Sequence, residues 1–324
     1  MRHKVFGWVL GGAISFGAGP AAEACAFHGY VPDPTLVDLL LATEQIMVAR
    51  PDPGDPTRYQ PIRVLLGPET AQVPVAVSAA TRARLSDKTT HSVLLARDGA
   101  YGPWQELAVL DDRFRGVVDH VVAHQIEWSF GADAERLSLF SGYLNDPNPD
   151  LRRLALQELD RVPYGVLRAA RLPKIPTLKQ DLQSGDSDLL PIRVLLAGLS
   201  QDPSFGAVLA QDLDAAIAQD LPYLGAYATA WIELDGKTAA QAILDRLAQD
   251  DALSLNTRIK LLEALALQHT HAPAPTRRVI ARGVAEMLRS RPDLREAATT
   301  QFGFGGGWAS SGQEPAGKPL ETDR

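Results

Sequence analysis

Apolar residues recur at helical spacing over most of the second half of the chain and in short strand-like runs over the first half. Leu36, Leu39 and Leu40 share one side of a helix predicted over residues 33–42. Five short runs with strand character follow, at 45–49, 59–66, 73–77, 91–96 and 105–110. Pro61 interrupts the second run, and proline- and glycine-rich stretches at 51–56, 67–68 and 97–103 supply the turns. Residues 112–129 then read as one helix that closes this half or joins it to the next.

From residue 132 to residue 291 the pattern is almost wholly helical. A helix carrying Leu137, Leu139, Phe140 and Leu144 runs into Asp146-Pro147-Asn148-Pro149. Proline lacks an N–H and restrains the residue before it, so the helix stops there. A second helix starts at once, with Asn148 or Asp150 able to cap it and Leu151, Leu154, Ala155 and Leu159 on one face. Three further pairs are predicted: 177–182 with 189–199, 205–218 with 223–234, and 238–247 with 255–267. A last helix, 276–290, would cap the series.

The Asp146-Pro147 turn between two helices, with Arg152 early in the second, resembles a HEAT repeat. Arg193 and Arg258 fall in the second helices of later pairs. The spacing from Arg152 to Arg193, and half the spacing from Arg193 to Arg258, lie in the roughly 30–47-residue range of helical repeats. The resemblance implies an α-solenoid that scaffolds contacts with a protein partner. It also implies structural roles for these arginines, bonded to aspartates or carbonyl groups such as those of Asp146 and Asp150. Residues 25–128 are faintly similar to netrin-like domains, five-stranded barrels of the oligonucleotide-binding type with a cysteine just after the signal peptide. Those domains carry several disulfides and this chain has one cysteine, so their protease-inhibiting function is not expected here. The fold class expected is therefore α+β: a small β-rich barrel or sandwich with its closing helix over 25–130, then HEAT-like repeats over 131–291.

Composition sharpens the picture at both ends. Arg2, His3 and Lys4 precede a weakly apolar run from 5 to 19, and Ala22-Glu23-Ala24 is a small-x-small cleavage site. Residues 1–24 thus read as an export signal, leaving Cys25 first in a soluble periplasmic or secreted protein. A lipid anchor on Cys25 is disfavoured, since Ala22 and Glu23 fit a lipobox poorly. No later run is long enough for a transmembrane helix. Residues 292–324 are rich in Gly, Ser and Pro and read as a disordered tail. A net charge of −7 argues against nucleic acid as the main partner.

Three groups of residues could carry chemistry. His120, His124 and Glu127 share the polar side of the 112–129 helix, opposite Val118, Val122 and Ile126. They have metal-ligand spacing, but Val121 and Val122 stand where a zincin motif needs its glutamate, and Arg113 on the same side opposes a cation. Cys25 and His28 form Cys-x-x-His, two ligands short of a closed zinc site. His269 and His271 sit at a helix end. No nucleophile-elbow pattern is present, so no catalytic residue and no cofactor is assigned. The sequence favours a non-enzymatic exported adaptor that binds a protein. The alternative is an envelope metal-binding or enzyme-accessory protein using Cys25, His28, His120 and His124.

Overall fold

The computed structural model describes residues 32–70, 73–86, 88, 90–99, 102–183 and 189–303. The predicted signal peptide, Cys25, His28 and the last twenty-one residues lie outside them. The chain is α+β: five strands near the start, then a long series of helices.

The first helix, α1 (Leu36–Ala42), opens with a capping box in which Thr35 and Asp38 each bond the other's backbone N–H. Five strands follow: β1 (Gln45–Pro51), β2 (Arg58–Leu66), β3 (Val73–Ala76), β4 (Ser92–Arg97) and β5 (Gln105–Leu110). A short helix α2 (Ala79–Leu85), capped by Ser78, sits between β3 and β4. The strands form one antiparallel sheet in the order β3-β2-β1-β4-β5. Register shifts at Val48/Ala49, opposite Pro61, and at Leu94/Leu95 bend the central strands.

The sheet is a curled half-barrel. β3 and β5 stay as edges, so it is neither a closed barrel nor a two-sheet sandwich. Side chains bridge the gap between the edges. Glu106 on β5 accepts hydrogen bonds from the Tyr59 hydroxyl on β2 at 2.7 Å, the Ser78 N–H at 2.8 Å and the Thr81 hydroxyl at 2.5 Å. Both faces of the central strands β1 and β4 are buried, while β2 and β3 are partly exposed. Ile46, Val48 and Leu94 face the helices, while Met47, Ala49, Val93 and Leu95 pack with Tyr59, Val73 and Trp104 inside the curl.

The predicted single helix over 112–129 is two, α3 (Asp112–Ala123) and α4 (Gln125–Ser129). His124 breaks it with φ −106° and ψ 14°, and its Nδ1 donates to the His120 carbonyl at 2.8 Å. The break shifts the phase of α4, so Trp128 is buried while Ile126, expected on the buried side, is 77% exposed.

The helices after Gly131 are α5 (Asp133–Ser141), α6 (Pro149–Asp160), α7 (Tyr164–Ala169), α8 (Leu178–Gln183), α9 (Leu190–Leu199), α10 (Gly206–Ala218), α11 (Leu224–Asp235), α12 (Lys237–Gln249), α13 (Leu255–His271), α14 (Ala274–Ser290) and α15 (Arg295–Phe302). Consecutive helices pair as α5 with α6, α8 with α9, α10 with α11 and α12 with α13. Between pairs, α6 touches α9, α9 touches α11, α11 touches α13 and α13 touches α15, while α12 touches α14. Helix α15 falls inside the stretch whose composition suggests a tail, and Leu294 and Ala298 are buried there. One hydrophobic cluster runs from Ile46 and Leu110 through Phe140 and Leu154 to Leu265 and Met287, so sheet and helices share a core. Among the described residues no helix is long and apolar enough to cross a membrane.

Candidate functional site

Among the described residues, a polar cleft of about 360 Å³ opens where α11 turns into α12 and α13 turns into α14. Its polar lining comes from Arg168 on α7, Gln201 after α9, Glu233 and Asp235 on α11, Gln268 on α13 and Thr276 on α14. Helix α11 is one of the most apolar in the chain, and burial of its Leu224–Ala230 stretch fixes which way Glu233 points.

Glu233 is the hub. Its Oε2 accepts from the Tyr164 hydroxyl at 2.6 Å and from Arg168 Nε at 2.8 Å, and its side chain is only 6% exposed. Gln268 donates from Nε2 to the Tyr164 oxygen at 2.8 Å and to the Thr229 carbonyl at 3.0 Å. Both of those contacts require a donor, because the carbonyl only accepts and the Tyr164 proton is already given to Glu233. The amide orientation is therefore fixed, and Gln268 Oε1 is left buried without a partner. Burial, reinforced by the Glu233 charge, pushes the Tyr164 phenol well above its ordinary value. Tyr164 thus stays a hydrogen-bond donor at physiological pH. The His271 ring meets Tyr164 edge-on at 5.6 Å, and Gly165 leaves room for it, since a Cβ there would lie 2.7 Å from His271 Cε1. Glu233 is thus engaged by a phenol and a guanidinium, while Asp235 in the same lining is exposed and accepts the Trp231 indole N–H at 2.8 Å.

The Asp146-Pro147 turn forms a second polar centre. Asp146 is buried and receives Arg113 from α3 at 2.5 Å and the Asn148 N–H at 2.9 Å. Asn148 caps α6 through Oδ1 and donates from Nδ2 to Asp111 at 2.8 Å. Burial raises the Asp111 carboxyl, but the Phe114 N–H and Asn148 outweigh it and hold the group below its ordinary value. Arg152 reaches back over the turn and donates to the carbonyl groups of Asp146 and Pro147, the latter at 3.2 Å. The carboxylates expected as its partners are taken by others: Asp146 by Arg113 and Asp150 by Arg84. Arg258 repeats the carbonyl contact, donating to Asp250 and Asp251 at 3.3 and 3.1 Å. Arg193 is buried in α9.

The structure brings His120 and His124 together. The rings of His120 and His124 lie 4.2 Å apart, and the Trp128 ring meets His120 edge-on at 5.6 Å and lies tilted 6.0 Å from His124. Glu127 is exposed, and Arg113 is turned to Asp146. Among the described residues no group of three or more His, Cys, Asp or Glu side chains could hold a metal ion. His269 packs against Phe302 at 5.7 Å.

Sequence reasoning passed over Tyr164, Arg168, Glu233 and Gln268. Their one signal is a charged or amide residue inside an otherwise apolar helical stripe, which hints that a buried partner awaits it. Comparisons with protein families, with characterised proteins and with solved structures found no match for this chain.

Proposed function

We propose that this chain is an exported, non-enzymatic adaptor that binds a protein partner along a HEAT-like solenoid. The observation that carries this reading is the order of helix contacts. Helices α6, α9, α11, α13 and α15 touch one after another, each separated in sequence by one or two other helices. A helix pair cannot bury its apolar stripe alone, so it stacks on its neighbours and leaves outer faces free for recognition. In the cleft, the buried carboxylate of Glu233 is held by Tyr164 and Arg168, which fits a structural role for that residue.

The test is affinity capture from the envelope fraction with a tag at the C-terminus, followed by reconstitution with the purified candidate. A stoichiometric protein complex supports the adaptor. A chain that purifies alone while processing a substrate, or that carries a stoichiometric metal, contradicts it.

A further inference from the structure

Helix α14 buries Ile280, Gly283, Val284 and Met287 on one side. At 100° per residue, Arg278, Arg282 and Arg289 fall within about 40° of one another on the opposite side. All three are exposed. The row spans roughly 16 Å at 1.5 Å per residue, the reach of about five residues of extended peptide.

These arginines contribute little to the fold. Arg278 and Arg282 have no ion-pair partner among the described residues, and Arg289 has only Glu286 at 4.0 Å. Arg277 and Arg278 stand near the helix N-terminus, where the first turn holds no acidic residue. The helix dipole disfavours cations at that end. The chain as a whole carries −7, so a row of unmatched positive charge is not an overflow of basic composition. Arg63, Arg84 and Arg113 are each paired with a carboxylate, whereas Arg171 and Arg295 are exposed without one among the described residues, so what sets α14 apart is that its arginines form a row.

We propose that the outer face of α14 is the docking surface for an acidic polypeptide segment, read by Arg278, Arg282 and Arg289. This rests on the adaptor reading and names the chemistry of its partner. Guanidinium groups bind carboxylates in bidentate geometry, and a row of them selects a segment with acidic residues at matching intervals. A single row about 16 Å long on one helix fits a short extended segment, so duplex DNA and anionic vesicles are kept as competing outcomes of the test.

The experiment uses the full chain and a fluorescein-labelled glutamate-rich peptide, with anisotropy read at two salt concentrations. Wild type should bind with an affinity that falls as salt rises. The double variant Arg278→Glu/Arg282→Glu should weaken binding about tenfold, as expected from reversing two exposed charges. Arg58→Glu, at an exposed position on β2, should leave it unchanged. Circular dichroism checks that the variants fold. Unchanged affinity in the double variant overturns the proposal, as does preferential binding of duplex DNA or of phosphatidylglycerol vesicles. Partner capture from the envelope fraction separates this inference from the one beneath it. If wild type and double variant capture the same partner equally, the adaptor stands and the α14 surface fails. If wild type captures nothing, the adaptor fails and the peptide arm alone decides the surface.

Discussion

Arg113 on α3 reaches the buried carboxylate of Asp146 at 2.5 Å, tying the helix that follows the sheet to the turn between α5 and α6. Removing the guanidinium leaves a buried carboxylate unpaired. Arg113 is itself 59% exposed, which tempers the loss. Arg113→Ala should lower stability by about 1–2 kcal/mol in urea unfolding. The Arg113→Ala/Asp146→Asn double variant should recover part of it. Additive losses would mean that the pair is not coupled.

Arg152 holds the same turn through its backbone. Two carbonyl groups with a charged donor make a contact worth about 1.5–3 kcal/mol, and Arg152→Ala should lower the melting temperature accordingly. Arg152→Lys should recover little, since one ammonium replaces a planar fork. A melting temperature unchanged by the alanine variant, with partner capture lost, would make Arg152 a recognition residue instead.

Gly198 marks the closest approach of α9 to α11. A Cβ there would lie 2.5 Å from the Ala230 carbonyl oxygen, which is backbone and cannot swing away. Gly198→Ala should therefore destabilise by about 1–3 kcal/mol, against the usual gain of alanine in a helix. A stabilised variant would show that the two helices do not pack this closely.

Glu158 gives a pH dependence of defined sign. Burial pushes its carboxyl above its ordinary value of 4.5 despite the opposing charge of Arg136 at 2.7 Å. The folded state then holds this proton to higher pH than the unfolded state does. The stabilising contribution is present below about pH 4.5 and is lost as pH rises through the raised folded value. The stability of wild type minus that of Glu158→Gln should fall with rising pH over that window and then level off. A difference that grows with pH would contradict the sign.

The strands were legible because their apolar runs are bounded by proline and glycine, and each lies within two residues of its predicted ends. The longer helices were legible because each carries a full apolar stripe. Helices α2, α7 and α15 were not, since each is eight residues or fewer and is held mainly by what it packs against. The half-barrel was missed because closure depends on whether the edge strands meet, and here Glu106 and α2 occupy that gap. The cleft was illegible for a different reason. Tyr164 and Gln268 stand 104 residues apart and meet only because α7 folds back onto α13. The histidine pair shows the reverse: its spacing was plain, but the break at His124 that orients it depends on a local side-chain bond to the His120 carbonyl.

The adaptor reading is tested most directly by site-specific photo-crosslinking in the intact envelope. Benzoylphenylalanine placed at Gln241 on α12 or at Glu286 on α14, both exposed, samples the outer faces of the helical series. The same probe at Ile62 samples the sheet, where that side chain is 49% exposed. The account predicts one discrete protein adduct from the helix positions, sharing a single partner, and none from Ile62. Adducts from Ile62 alone, or none from any helix position, would contradict it.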